Sequence, residues 1–225
     1  MLISNQKRFI FIHIPKTGGT SIEKVLEPYS DTIYGYSYRQ KKDISIHRKH
    51  LKAFEAKNML GDSYNKLFSF AIIREPFEFF RSWYLFNKYS EWSKRAQPEK
   101  FNLANSLNLE EWMIQPKKPS QISWLVDDRG KIIVDCIFLL SKIEEGFEYI
   151  KKKCYIPEQV HLEHINQTIM HQKKANNSEL ILPTKKVYTL IFEHYQEDMN
   201  LYYKVLHNGG CIDFNPVQDE KVINI

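Results

Sequence analysis

Residues 9–22 of the chain read FIFIHIPKTGGTSI and contain three successive patterns. Residues 9–14 form an apolar run that is long enough for a buried strand. A helical spacing of apolar residues begins at Ile22, and residues 15–21 between the two patterns include two adjacent glycines. The stretch therefore predicts a strand, a loop and a helix in that order.

The loop of this stretch has the composition of an anion-binding site. A glycine-bearing turn between a strand and a helix N-terminus directs unpaired backbone N–H groups and the positive end of the helix dipole to one point. A lysine adds a positive charge, and three hydroxyl groups can donate to the same oxygens. Phosphate or sulfate is the expected ligand. The candidate ligand residues of the loop are Lys16, Thr17, Gly18, Gly19, Thr20 and Ser21.

The loop is not a Walker A motif, because its lysine precedes the glycines and no glycine stands five residues before a Gly-Lys pair. This order disfavours an ordinary metal-dependent nucleoside triphosphatase. A simpler interpretation remains open, in which the glycines only allow a tight turn and the hydroxyls of Thr20 and Ser21 only cap the helix.

Length and composition predict one globular domain covering residues 1–225, with 43% hydrophobic residues available for a core. The net charge of +5 suits an anionic ligand but is too small to indicate nucleic acid. We find neither metal-ligand spacing nor an apolar run near 20 residues, so we expect no metal, no membrane span and a cytoplasmic location. The oligomeric state is left open.

Two further buried strands are predicted, at residues 67–73 and 135–140, and each leads into a helical pattern. Three such strand-to-helix units predict an α/β fold with a P-loop-like parallel sheet flanked by helices. Ligands of such sheets bind beyond the carboxyl ends of the strands. Lys16 and Arg74 both follow such ends, so we expect them to serve one site.

The pattern also predicts several less regular elements. Residues 29–43 are interpreted as a surface loop, and the composition turns polar after residue 89 until a short helix that is predicted at about residues 108–115. Ser141 and Glu144 predict a capping box for a helix that ends near residue 153. Residues 190–206 predict one long amphipathic helix.

Two stretches resemble a known family. IHIPKTGGTSI is similar to the 5′-phosphosulfate loop of sulfotransferases that use 3′-phosphoadenosine 5′-phosphosulfate (PAPS), in particular the carbohydrate (heparan and chondroitin) branch. FAIIREPFEFFRSWY is similar to the 3′-phosphate site of that branch, and Arg74 and Ser82 match its eight-residue spacing. Residues 121–135, with Tyr195 and Asp198, extend the resemblance to about two thirds of the chain.

This resemblance implies a PAPS-dependent sulfotransferase that acts on a hydroxyl acceptor, an oligo- or polysaccharide, and releases adenosine 3′,5′-bisphosphate (PAP). It implies that Lys16 stabilises the leaving phosphate and that the N–H groups of residues 18–21 bind the 5′-phosphate. Arg74 and Ser82 would hold the 3′-phosphate. Many relatives carry an N-terminal membrane anchor, which the first residues here do not resemble, so we expect a soluble bacterial member.

The acceptor hydroxyl must lose a proton, so a base is required within hydrogen-bond reach. In the resembling family the base often precedes a small helix, and ISIHRKHLKAF offers His47 and His50 at such a place. We favour His50, which directly precedes the helical pattern. His47 and a carboxylate such as Glu23 remain alternatives, as does a solvated basic face without proton transfer.

Other functions and roles stay open at this point. The lysine loop could serve an ATP-dependent phosphotransferase, or a nucleotide-binding protein without catalysis. Arg74 could simply pair with Glu75 or Glu78 at a helix start. His13 is interpreted as a structural histidine of the first strand rather than a catalyst.

Overall fold

The computed structural model describes residues 1–37, 39–45, 48–115, 120–163 and 181–214. The chain divides into two compact units, which are described separately. Unit 1 comprises residues 1–73, 121–163 and 203–225, and unit 2 comprises residues 74–120 and 164–202. The assignment of residues 1–225 to one domain stays a prediction.

Unit 1 is built on a six-stranded sheet with a separate two-stranded ribbon. The strands are β1 (Leu2–Ser4), β2 (Phe9–Ile12), β3 (Thr32–Ile33), β4 (Gly35–Ser37), β5 (Lys42–Ile44), β6 (Phe68–Ile73), β7 (Cys136–Leu139) and β8 (Cys211–Asp213). The sheet has the order β3-β1-β2-β6-β7-β8, and β4 and β5 form the ribbon.

The centre of the sheet is parallel and its edges are antiparallel. β6 pairs in parallel with both β2 and β7, whereas β1, β3 and β8 add antiparallel strands outside them. The three parallel strands are the three that the apolar runs predict, which confirms the α/β fold with a P-loop-like sheet. Ile12 of β2 lies opposite Ala71 of β6, so the chain leaves both strands at the same edge of the sheet.

One hydrophobic cluster of unit 1 packs on one face of this sheet, and the side chains on the opposite face of its parallel strands are buried as well. Phe9, Phe11, Phe70 and Phe138 lie on the face that this cluster occupies. The rings of Phe11 and Phe138 stack on the ring of Phe70, and the ring of Phe9 is tilted against it. Two helices cover them, α1 (Gly19–Leu26) and α7 (Ile143–Lys153). Full burial of one such side chain contributes about 1.5–3 kcal/mol, so this face fixes where α1 and its loop lie.

Several local predictions for unit 1 are wrong. Residues 29–43 contain β3, β4 and the start of β5 instead of an irregular loop. The capping box at Ser141 is absent, since a short 3-10 helix (Leu140–Lys142) precedes α7 and Lys142 is its N-cap. Helix α2 (Ala53–Leu60) begins three residues after His50, as the pattern there indicates.

Unit 2 is helical among its described residues. It contains α3 (Pro76–Tyr89), α4 (Glu91–Ala96), α5 (Pro98–Ser106), α6 (Leu109–Met113) and α8 (Lys185–His194). Helix α9 (Gln196–His207) begins in unit 2 and ends in unit 1. None of the helices described is both long and apolar enough to cross a lipid bilayer.

Unit 2 also differs from the sequence predictions in two places. The polar stretch after residue 89 contains α4 and α5, which are too polar for their helical period to be evident. The single helix predicted over residues 190–206 is divided at Tyr195, where the backbone turns to φ −139° and ψ 35°. The Tyr195 ring packs 4.3 Å from that of Phe80, and its hydroxyl donates to the carbonyl of Met113.

Candidate active site

The loop between β2 and α1 has an unusual backbone. Lys16 has a φ of 67° and Gly18 a φ of 79°, so two of three consecutive residues are left-handed. For a residue with a side chain this conformation costs roughly 1–2 kcal/mol. Such strain persists where the surrounding structure imposes it, commonly at binding loops. The conformation of Lys16 therefore favours the anion-loop interpretation over that of an ordinary turn.

Gly18 and Gly19 are required for different reasons. Gly18 is the N-cap of α1 and adopts the left-handed conformation that glycine tolerates best. At Gly19, a Cβ atom would lie 2.4 Å from Cδ2 and 2.5 Å from Nε2 of His13. The glycine pair thus combines a conformational requirement with a steric one, and the second brings the loop backbone against a buried imidazole.

Two of the loop's hydrogen-bond donors already have partners within the loop region. The buried Thr17 hydroxyl donates to the carbonyl of Ile14 at 2.9 Å, which closes the turn. The N–H of Ser21 donates to the carbonyl of Gly18 at 3.2 Å. The loop groups best suited to an anion are therefore the N–H groups of residues 18–20, the side chain of Lys16 and the hydroxyls of Thr20 and Ser21.

A buried polar cluster supports this loop from within unit 1. Nδ1 of His13 lies 2.7 Å from Oε1 of Glu23, and Nζ of Lys49 lies 3.1 Å from Oε2. The nitrogen of the Met1 α-amino group lies 3.2 Å from Oε1 of Glu23. Burial lowers the pKa of His13, and the Glu23 carboxylate opposes that shift. Burial alone would raise the pKa of Glu23, but His13, Met1 and Lys49 outweigh it and hold the pKa far below its usual range.

His50 is fixed beside the end of β2. Its Nδ1 lies 2.8 Å from the carbonyl oxygen of His13, so Nδ1 carries the proton and donates it. Nε2 is then the atom with the lone pair. The indole N–H of Trp124 donates to the carbonyl of His50 at 3.0 Å and holds the backbone on the other side. Burial, followed by the charge effects of His13 and Lys49, lowers the pKa of His50 to about 2.

This geometry separates the candidate bases. His50 is neutral at ordinary pH and has a defined acceptor atom, as a general base requires. Glu23 is bound by three partners and has a depressed pKa, which makes it a poor proton acceptor. His47 lies outside the described residues. His13 is buried and lies just beyond β2, and its interpretation as a structural histidine stays a prediction.

Unit 2 contains Arg74 and Ser82, the two residues that the resemblance assigns to a 3′-phosphate. Arg74 precedes α3, and its Nη2 lies 2.9 Å from Oε2 of Glu78. Nη2 of Arg81 lies 2.7 Å from the same oxygen. Ser82 is buried and follows Glu78 by four residues, which puts both on one face of α3. Arg74 thus has the helix-start partner that the sequence left open.

The sequence interpretation missed three side-chain contacts near the predicted site residues. Arg81 could have been found from its spacing, since it stands three residues after Glu78 and belongs to the same helix face. The contacts of Glu23 with His13 and of Trp124 with His50 join distant parts of the chain, and no local pattern indicates them.

Comparison with known proteins gives one match. Residues 1–204 match the model of a family described as the sulfotransferase family. Searches of the curated proteins and of the solved structures found no match.

Proposed function

Since the chain belongs to the sulfotransferase family, we propose that it transfers a sulfuryl group from PAPS to a hydroxyl group of an oligo- or polysaccharide. The observation that carries the proposal is the pairing, within unit 1, of a left-handed lysine loop with a histidine of fixed tautomer. One feature binds an anionic donor, and the other can receive the acceptor's proton.

The lysine loop is assigned to the 5′ end of the donor. The N–H groups of residues 18–20 and the N-terminus of α1 bind the 5′-phosphate, because both carry partial positive charge. When the sulfuryl group leaves, negative charge develops on the bridging phosphate oxygen. Lys16 neutralises that charge in the proposed transition state, which is the kind of stabilisation that contributes most to such reactions.

His50 is assigned as the general base. Its Nε2 accepts the proton of the acceptor hydroxyl, while Nδ1 keeps its hydrogen bond to the carbonyl of His13. The acceptor oxygen forms its bond to sulfur as the bond from sulfur to the 5′-phosphate breaks, and PAP leaves. A pKa of about 2 makes His50 a weak base when no donor is bound. The negative charges of the bound donor would raise that pKa and strengthen the base.

Arg74 and Ser82 are assigned to the 3′-phosphate, which distinguishes PAPS from ATP. The assignment rests on the motif spacing and on the family. Within unit 2 it is supported by the position of Ser82, on the helix face that Arg74 contacts through Glu78. Arginine suits this role because its planar donors match phosphate oxygens.

The test is transfer of labelled sulfate from PAPS to a panel of acidic and neutral oligosaccharides, with tyrosine peptides and small alcohols as comparison. We expect the product to carry label only on saccharide hydroxyls. If only tyrosine peptides or small alcohols carry label, the assignment of a saccharide acceptor is wrong but the assignment as a sulfotransferase stands. Thermal-shift binding of ATP and PAP is measured in parallel, and preference for ATP with Mg²⁺ would favour a phosphotransferase instead.

A further inference from the structure

Two arginines of unit 2 share a single carboxylate oxygen. Nη2 of Arg74 and Nη2 of Arg81 lie 2.9 Å and 2.7 Å from Oε2 of Glu78. The two guanidinium groups therefore converge on one point that holds a negative charge. Arg81 reaches it from the helix, three residues after Glu78, and Arg74 reaches it from the chain before the helix.

Arg81 has donor capacity beyond this contact. Its Nη1 donates to the carbonyl of Ile181 at 3.3 Å, but its Nε is buried and has no hydrogen-bond partner among the residues that the structure describes. A buried donor without a partner is uncommon and costs free energy unless something binds it. The guanidinium also lies over the ring of Phe77, so apolar contact on one side directs its polar edge toward Glu78.

Glu78 is the most exposed member of the trio. Its side chain is 31% exposed, compared with 13% for Arg74 and 15% for Arg81. The neighbouring carboxylate of Glu75 is held in place, since it accepts from the backbone N–H of Glu78 and caps α3. Rotation of Glu78 into solvent would leave two guanidinium groups around one point, with the hydroxyl-bearing Ser82 one turn along the helix.

We propose that Glu78 occupies the position of the donor's 3′-phosphate when no nucleotide is bound, and that Arg81 is a third ligand of that phosphate. The inference rests on the proposed function, from which it takes the identity of the anion. Binding exchanges one anion for another on the same two arginines. Glu78 is then an internal competitor that weakens nucleotide affinity, and Arg81 is a residue that determines specificity for the 3′-phosphate.

The experiment measures the affinities of the full chain for PAP and for adenosine 5′-monophosphate by calorimetry. In Glu78→Gln the competing charge is lost, so PAP binding becomes tighter by about tenfold, the size of one charge-assisted hydrogen bond. In Arg81→Lys PAP binding weakens by about tenfold for the same reason. Affinity for adenosine 5′-monophosphate stays unchanged in both variants, because that nucleotide lacks the 3′-phosphate.

Matched controls separate the local contact from net charge. Glu99→Gln and Arg95→Lys make the same chemical changes on exposed positions of α5 and α4. We expect neither to alter the ratio of the two affinities. Should Glu78→Gln fail to fold, Glu78→Asp provides a second variant, since the shorter side chain cannot reach both guanidinium groups and PAP affinity again rises.

The outcomes distinguish this inference from the proposed function. If the unmodified chain binds PAP no better than adenosine 5′-monophosphate, the assignment of the donor fails. If it prefers PAP but the preference is the same in Glu78→Gln, Glu78→Asp and Arg81→Lys, the donor assignment stands and the carboxylate exchange is overturned.

Discussion

The two stretches assigned to phosphate binding differ in what fixes their donors. In the loop of residues 16–21 the donors are backbone groups, held by left-handed dihedrals at Lys16 and Gly18 and by packing of Gly19 on His13. In α3 the donors are the guanidinium groups of Arg74 and Arg81, and their charge is shared with Glu78. The first arrangement is imposed by folding, and the second can exchange its partner. Changes in the loop should therefore alter rate and stability, and changes in α3 should alter affinity.

The largest effect is expected from the loop cation. Lys16→Ala removes the charge that stabilises the leaving phosphate, and sulfate transfer falls by roughly a thousandfold, as for a lost oxyanion donor. PAP affinity changes much less, because the backbone N–H groups remain. Single-turnover transfer of label from PAPS provides the measurement. A variant that transfers sulfate at the original rate would exclude Lys16 from the reaction.

Replacement of the base tests the same unit without touching an anion donor. His50→Asn keeps a donor near the carbonyl of His13 but has no imidazole to accept a proton, so kcat falls by about a hundredfold or more. PAP affinity, measured by calorimetry, stays as it was. A small decrease in kcat would instead favour His47 or the interpretation of this region as a basic face.

Arg74→Ala is expected to change the affinity for PAP and not the rate of transfer. It removes one charged ligand of the 3′-phosphate, so PAP affinity falls by roughly ten- to a hundredfold, while the rate at saturating PAPS changes little. Titration with PAP and with adenosine 5′-monophosphate measures the difference. Equal loss for both nucleotides would show that Arg74 supports the fold rather than the phosphate.

Gly19→Ala should reveal how tightly folding constrains the loop. The new methyl group would overlap the His13 ring, which Glu23 holds in place, and we expect the free energy of unfolding to fall by about 1–3 kcal/mol. Urea unfolding gives the value. Ser21→Ala, at a half-buried position of the same helix, is the matched control and should change stability far less. An unaltered midpoint for Gly19→Ala would mean that the loop can move away from His13.

Stability should also depend on pH through the cluster of unit 1. The pKa of His50 is lowered from 6.5 to about 2 on folding. Between these two values the imidazole is protonated in the unfolded chain and neutral in the folded chain, so a falling pH favours unfolding. The free energy of unfolding therefore does not depend on this group above pH 6.5, and it decreases as the pH falls from 6.5 toward 2. The depressed pKa of Glu23 acts in the same direction below about pH 4.5.

Thermal melting between pH 7 and pH 4 measures this slope. His50→Asn removes one titrating group, and we expect a shallower decrease for that variant across the upper part of the range. Identical slopes for the two chains would show that His50 does not lose its proton affinity on folding.

The parts of the molecule that the sequence predicts are those with local signals. The apolar runs of β2, β6 and β7 identify the parallel strands, and the glycines and lysine between β2 and α1 identify the loop. Helices α4 and α5 are missed because their exposed surfaces dilute the apolar period. The partners of His50 are missed because they come from other strands and loops, where only tertiary structure brings them together.

The resemblance contributes what the local pattern does not. It assigns Arg74 and Ser82 to a second phosphate, and membership of the sulfotransferase family supports the reaction class. It gives no indication that Glu78 stands between Arg74 and Arg81, because the position of a carboxylate between two guanidinium groups depends on how side chains pack at the start of α3.

The connection between Trp124 and His50 also has a consequence for how the protein folds. The two residues are 74 positions apart, and the parallel pairs of the sheet likewise join distant segments. Contacts of long sequence separation form late and slow the search for the native state. The antiparallel pair of β1 and β2 is local and can form early. During synthesis on a ribosome, the proposed base His50 therefore reaches its final position only after the chain has been made as far as Trp124.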